Sequence, residues 1–206
     1  MSKIALLLSV ATAITAIALP QPSAGASTQY TDTFDDLATS IVTAQLFPVG
    51  LYHDLAYKGP VVFRPIVETS VVPHSGAQEA AAGATLDLLQ VGVVTLHPFV
   101  TITRSEAIKS FDLQSFWFGL GTGTQASVSA AQLGTIYVIG YSVNGVQVNE
   151  RFDYVPAGAV NAPTVQAVLP SSFKNLQNVT IAVLFSAPVT ERTTLFLDDT
   201  KHLNHY

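Results

Sequence analysis

Hydrophobic and polar positions alternate in short runs along most of the chain, and Gly, Pro, Asn or Asp residues separate the runs. The stretch from Val179 to Phe185 has an apolar residue at every second position. A period of two is the side-chain repeat of a β-strand. The sequence shows no long amphipathic helix and no repeat. The pattern therefore predicts an all-β chain, folded as an antiparallel two-sheet β-sandwich, or jelly roll.

The clearest local signal is a hairpin between Ile136 and Asp153, because Asn144-Gly145 at its centre favours a type I′ turn. This turn places Val143 opposite Val146. The register then gives one apolar face, made of Tyr137, Ile139, Tyr141, Val143, Val146, Val148 and Phe152. The second strand turns four polar side chains to solvent, Gln147, Asn149, Arg151 and Asp153.

The first 26 residues have the features of an export signal. Lys3 provides the positive charge, residues 4–18 are almost continuously apolar, and cleavage is expected after Ala18 or after Ala26. No later run reaches about 18 apolar residues, so a membrane span is not expected. The sequence therefore predicts a secreted, extracellular protein with one β-sandwich domain over residues 27–206.

Composition narrows the function classes. A hydrophobic content of 49% against 11% charged residues predicts a dense core and argues against disorder. A net charge of −5 with nine Lys and Arg leaves no basic surface for nucleic acid. The absence of Cys excludes disulfides and thiolate metal sites. The sequon at Asn178 predicts a glycoprotein, and we expect a monomer.

Two acidic pairs lie at opposite ends of the predicted domain. Asp35-Asp36 follows the first strand, and Asp198-Asp199 follows an apolar run near the end. The first and last strands of a sandwich often lie side by side, so these carboxylates could converge on one hard cation such as calcium. The alternative is that one Asp caps a turn and another faces solvent.

The segment 47–60 combines aromatic residues with two Pro and two Gly, which predicts an ordered loop. Within it, Tyr52, His53, Asp54 and Tyr57 are the candidate ligand-binding residues, because sugars stack on aromatic rings and bond to polar side chains. The alternative is a loop that packs its tyrosines over the end of the sandwich. The five histidines, His53, His74, His97, His202 and His205, show no zinc-motif spacing and are interpreted as surface imidazoles.

The order of motifs resembles a group of small secreted, mainly fungal, jelly-roll proteins of unassigned function, and is similar to galactose-binding-like carbohydrate-binding modules. The matching stretches are Thr33-Phe-Asp-Asp-Leu37, Gly50–Leu55, Ser75-Gly76, Phe111–Ser115, Gly140-Tyr141 and Leu195–Asp199. In the carbohydrate-binding modules a structural calcium is held by an acidic residue of the first strand and the first Asp of the final pair. By position, this resemblance implies Asp35 and Asp198.

These observations predict a secreted, non-catalytic protein that is associated with the cell surface or binds a polysaccharide or glycoprotein glycan, and that carries a structural calcium. One alternative is an extracellular carbohydrate-active enzyme, a glycoside hydrolase or polysaccharide lyase, for which no catalytic residues can be paired from the sequence. Another is a secreted structural or host-interaction protein without a sugar ligand. An enzyme should bring two carboxylates, or a His and a Tyr, together in a cleft.

Overall fold

A computed structural model describes residues 25–38, 47–65, 69–83, 98–122, 130–184 and 193–206. Every regular element in these ranges is a β-strand. The strands are β1 Ser27–Asp32, β2 Phe47–Tyr52, β3 Leu55–Phe63, β4 Val71–Val72, β5 Glu79–Ala82, β6 Phe99–Arg104, β7 Ser110–Thr122, β8 Gly134–Ser142, β9 Gln147–Tyr154, β10 Ala162–Pro163, β11 Val165–Val168, β12 Leu176–Leu184 and β13 Thr193–His205. The predicted all-β class is confirmed. No helix in these ranges has the length and hydropathy to cross a membrane.

Eleven strands form one hydrogen-bonded sheet, in the order β11-β7-β13-β5-β3-β6-β12-β8-β9, with β1 added to β13 and β2 added to β3. Its paired strands are antiparallel, and a contact between Leu176 and Phe111 joins β12 back to β7. Six strands therefore close into a ring. Because the hydrogen bonds run continuously around this ring, the division into two facing sheets stays a prediction. The two short strands β4 and β10 form a separate parallel pair.

The core fills the inside of this ring with large apolar side chains. The largest fully buried ones include Tyr154, Phe34, Phe111, Phe116, Phe118 and Phe173. Fully burying one such side chain stabilises the fold by about 1.5 to 3 kcal/mol relative to leaving it exposed. The dense core that the composition predicts is thus built from inward-facing strand positions together with Phe34 and Phe173, which lie outside the strands.

The first and last strands lie side by side, as the sequence predicts. Strand β1 pairs antiparallel with the end of β13, from Ser27 opposite His205 to Asp32 opposite Thr200. The ladder extends by one more step, since Gly25 N donates to Tyr206 O at 3.0 Å and Tyr206 N donates to Ala26 O at 3.0 Å. This pairing brings the two acidic pairs into the same part of the molecule.

The predicted hairpin exists, but its register is shifted by one residue. Tyr141 pairs with Gln147 and not with Val148, and only Gly145 at the turn has a positive φ, of 76°. A shift of one residue exchanges the faces of a strand. Strand β8 therefore buries Ile136, Val138 and Gly140, whereas Tyr141 is 38% exposed. The predicted outward face of β9 is confirmed.

The segment predicted as an aromatic loop is a second hairpin. Tyr52 pairs with Leu55, so only His53 and Asp54 form the turn between β2 and β3. Both have positive φ, 43° and 64°, as a type I′ turn requires. The loop prediction was therefore wrong, because Pro48 and Pro60 are accommodated within strands and Gly50 and Gly59 adopt positive φ there.

Candidate functional site

Polar side chains point inward from the paired ends of β1 and β13. Asp32, Thr200, His202 and Asn204 are all fully buried. In a strand, alternate residues share one face, so Thr200, His202 and Asn204 project to the same side, next to Tyr30 and Asp32 of β1. The result is a buried polar cluster, which we call the Asp32 cluster; it comprises Asp32, His53, Tyr57, His202 and Asn204.

The carboxylate of Asp32 is the centre of this cluster, because three side chains donate hydrogen bonds to it. His53 Nδ1 donates to Oδ1 at 2.7 Å, and Tyr57 OH donates to Oδ2 at 2.5 Å. His202 Nε2 lies 3.2 Å from both oxygens. Burial and the neighbouring Asp32 charge raise the pKa of Tyr57 well above its ordinary value, so the phenol keeps its proton and remains a donor.

His202 is held on both sides. Its Nδ1 lies 2.8 Å from Asn204 Oδ1, and the amide of Asn204 is itself oriented by donating from Nδ2 to His53 O at 2.8 Å. Both ring nitrogens of His202 therefore lie within hydrogen-bond distance of side-chain oxygens. The interpretation of His202 as a surface imidazole was wrong, because β13 continues past the acidic pair to His205 and turns His202 into the interior.

His53 connects the buried cluster to solvent. Its side chain is 34% exposed, and its ring stacks between Tyr52 at 4.1 Å and Tyr30 at 4.6 Å, measured between ring centroids. Because Nδ1 is used by the hydrogen bond to Asp32, Nε2 is the ring nitrogen left for another partner. No described residue makes a hydrogen bond with that nitrogen. The imidazole is therefore fixed at the surface with its second nitrogen unused by the described chain.

Around His53 lies a rim of half-buried polar and aromatic groups. Tyr206 OH donates to Asp54 Oδ2 at 2.8 Å and lies 3.2 Å from Tyr30 OH. Leu51, in the same hairpin, is 65% exposed. We call the exposed parts of Tyr30, Leu51, His53, Asp54 and Tyr206 the hairpin patch. It combines an apolar side chain, ring edges, a carboxylate and an imidazole within one turn and its neighbouring strands.

The structure gives the four predicted ligand-binding residues different roles. His53 and Asp54 lie in the hairpin patch. Tyr52 and Tyr57 are only 8% and 3% exposed, so neither ring offers a face for a sugar to stack on. Tyr52 OH instead donates to Asp36 Oδ1 at 2.5 Å, and burial raises its pKa. The two tyrosines pack the hairpin against the rest of the domain. This matches the alternative stated for the sequence, in which the tyrosines have a packing role.

The predicted calcium residues Asp35 and Asp198 meet at one turn, residues 74–78. Asp35 Oδ1 accepts from Ala77 N at 2.8 Å and Gln78 N at 3.1 Å, and Asp198 Oδ2 accepts from Ser75 N at 2.9 Å. The two carboxylates thus bind backbone N–H groups of the same turn. Asp35 Oδ2 accepts no hydrogen bond from a described residue and lies against Gly76. In the described ranges, no group of three or more acidic or His side chains is arranged to hold a metal ion.

Glu79 is also a fully buried carboxyl group, and unlike Asp32 it makes no hydrogen bond with a described residue. Neither of its oxygens has a partner among the described residues. Burial, followed by the charge of Asp198, raises its pKa well above 4.5. Burial also raises the pKa of Asp198 to about 7. Glu79 is therefore held as the neutral acid.

The remaining predicted positions are dispersed. Asn178, the predicted glycosylation site, is half-buried on β12 between Thr103 and Tyr141. His74 stacks on Trp117 with ring centroids 3.5 Å apart, and His205 binds Asp112. His97 lies outside the described residues. Among the described residues, no hydrogen bond or ring contact joins Asn178, His74 or His205 to the side chains of the Asp32 cluster.

Sequence reasoning missed Asp32 and Asn204 as well as the burial of His202. A signal was present, because Thr200, His202 and Asn204 occupy every second position in a strand-like run. Alternating polar residues usually indicate the solvent face of a strand. Only the placement of the Asp32 carboxylate shows that this face points inward.

No protein-family model and no curated protein matches the chain. Among solved structures, the Stig cyclase FisC from Fischerella sp. TAU aligns with a TM-score of 0.41 and 9% identity, over 86% of this chain and 98% of that one. The CBM22-1–CBM22-2 tandem of Xyn10C from Paenibacillus barcinonensis aligns with a TM-score of 0.36 and 12% identity, over 89% of this chain and 47% of that one. These similarities are too distant to assign a function.

Proposed function

We propose that the protein is a secreted glycan-binding protein that contacts its ligand, without catalysis at that surface, through the hairpin patch. The observation that carries the proposal is His53. Its side chain is a third exposed, its Nδ1 is fixed to a buried carboxylate, and its Nε2 has no hydrogen-bond partner among the described residues. Beside it lie the Asp54 carboxylate and the Tyr206 hydroxyl. These groups match the hydroxyls of a sugar.

The rigidity of the turn formed by His53 and Asp54 supports this proposal. The two turn residues adopt left-handed backbone conformations, which cost non-glycine residues about 1 kcal/mol or more each. Ring stacking on His53 and the hydrogen bond from Tyr206 to Asp54 hold this turn in place. Strained positions that the surroundings hold fixed are found at binding sites, where a prearranged geometry lowers the entropy cost of binding.

The test is a glycan array followed by pull-down on insoluble polysaccharides. We expect retention on at least one glycan, and a loss of tenfold or more in affinity for His53→Ala and Asp54→Ala. The control is Arg151→Ala, on the exposed face of β9. Absence of binding to every glycan, or equal loss in the control, would refute the proposal.

A second candidate function is a carbohydrate-active enzyme, favoured by the same Asp32–His53 pair. A carboxylate on Nδ1 makes Nε2 a general base, and Tyr30 and Tyr206 place phenol groups nearby. The two functions are separated by measuring whether a reaction product forms. Release of shorter sugars from a bound polysaccharide would identify the enzyme, whereas binding without product supports the non-catalytic function.

We also propose a structural calcium between Asp35 and Asp198. The support is their convergence on the turn at residues 74–78 and the unbonded Asp35 Oδ2. The ion would neutralise two carboxylates that bind the same turn. Chelation should lower the melting temperature and added calcium should restore it, with no response in Asp198→Ala. Identical melting curves with and without chelator would exclude the ion.

A further inference from the structure

A second cluster of reactive side chains lies on the outer face of β1, β13 and β7, away from the Asp32 cluster. Ser27 lies opposite His205 in the β1–β13 ladder, and their side chains meet with Oγ 2.9 Å from Nδ1. His205 Nε2 lies 3.0 Å from Asp112 Oδ1. A hydroxyl, an imidazole and a carboxylate are thus linked in series across three neighbouring strands.

The carboxylate fixes the protonation of the ring. Asp112 accepts the proton on Nε2, and its Oδ1 is oriented further by the Asn175 backbone N–H at 2.8 Å. The lone pair of His205 is therefore on Nδ1, where the Ser27 hydroxyl donates. In serine hydrolases the two nitrogens usually have the opposite roles, but what defines a triad is the order of acid, base and nucleophile.

The solvent exposure of the three side chains fits a nucleophilic role for Ser27. Ser27 is exposed, and the side chains of His205 and Asp112 are 28% and 15% exposed. Lys109 adds a positive charge to this corner, since its Nζ donates to Tyr206 O at 2.8 Å. The hydroxyl is thus open to a substrate while the groups behind it are progressively more protected.

We propose that Ser27, His205 and Asp112 form a nucleophilic triad that hydrolyses carboxylic esters. Ser27 Oγ attacks the ester carbonyl carbon as its proton passes to His205 Nδ1. The C–O bond to the alcohol breaks, and the imidazolium returns the proton to the leaving oxygen. Water then attacks the acyl-serine, again through His205, and releases the acid and free Ser27.

The test uses the full chain with a fluorophosphonate probe and with p-nitrophenyl acetate. We expect covalent labelling at Ser27, located by peptide mass spectrometry, and an initial burst of nitrophenol. Ser27→Ala should abolish both. His205→Gln should slow labelling by about 100-fold or more, the typical contribution of a general base. Ser171→Ala, at an exposed turn serine, should react like the unmodified protein.

Asp112 is a positioning residue in this scheme, and its role has a separate readout. Asp112→Asn should lower kcat with little change in KM, because the amide can favour the wrong tautomer of His205. If native protein takes up no probe, or if labelling persists in Ser27→Ala, the three residues only clamp neighbouring strands and the triad is refuted. Because the hairpin patch is a different surface, glycan retention is unaffected by that result.

Discussion

Asp32 and Glu79 are both fully buried carboxyl groups, yet the fold accommodates them in opposite ways. Asp32 accepts hydrogen bonds from His53, Tyr57 and His202, whereas Glu79 has none from a described residue. A buried carboxyl must either be compensated as an anion or be protonated. Hydrogen-bond donors therefore distinguish the two sites. Asp32 has three donors and lies next to a partly exposed imidazole, whereas Glu79 has none among the described residues and is held as the neutral acid.

The largest effect on stability should come from removing the Asp32 carboxylate. Asp32→Ala leaves the Tyr57 hydroxyl and the buried His202 without their acceptor, and we expect a loss of about 3 to 5 kcal/mol in unfolding free energy. Chemical denaturation measures it. Asp153→Ala, which removes an exposed carboxylate on β9, is the control and should have little effect. A change in Asp32→Ala as small as in the control would show that the cluster is not stabilising.

Glu79 should make the stability of the protein depend on pH. Its folded-state pKa is raised, so its contribution to stability is fully present below pH 4.5, its ordinary value, and is lost as pH rises toward the folded pKa. Replacing it with a neutral amide, Glu79→Gln, should therefore reduce the fall in stability between pH 5 and pH 9. Melting curves across this range test the prediction. An unchanged slope would mean that Glu79 ionises in the folded protein without cost.

The smallest effects on stability should come from replacing the two imidazoles of the cluster, and the two losses should differ. His202→Gln disturbs a fully buried hydrogen-bonded ring and should cost about 1 to 3 kcal/mol. His53→Gln, at a side chain that is 34% exposed, should cost less than about 1 kcal/mol while weakening glycan binding. Denaturation and pull-down on the same two variants check this. Equal losses of stability would place His53 among the structural residues.

Part of the site was predictable from the sequence. Strand periodicity gave the all-β class, and the usual pairing of terminal strands in sandwiches correctly predicted that the first and last strands meet. His53 and Asp54 were identified as surface polar groups beside aromatics. These predictions rest on local alternation and on the frequent pairing of terminal strands, which need no knowledge of the fold's interior.

Register, direction and burial were decided by the tertiary structure. The Asn144-Gly145 pair predicts a tight turn, but packing of Ile136 and Val138 into the core selects a register one residue away. In the same way, the alternating polar residues at 200–204 face inward because distant residues bind them there. Asp32 binds His202, and the His53 carbonyl binds Asn204. Tyr57 in turn binds Asp32. Sequence alone determined the period of the strands. Which of two faces is inside depends on contacts between residues up to 170 positions apart, and those exist only in the folded chain.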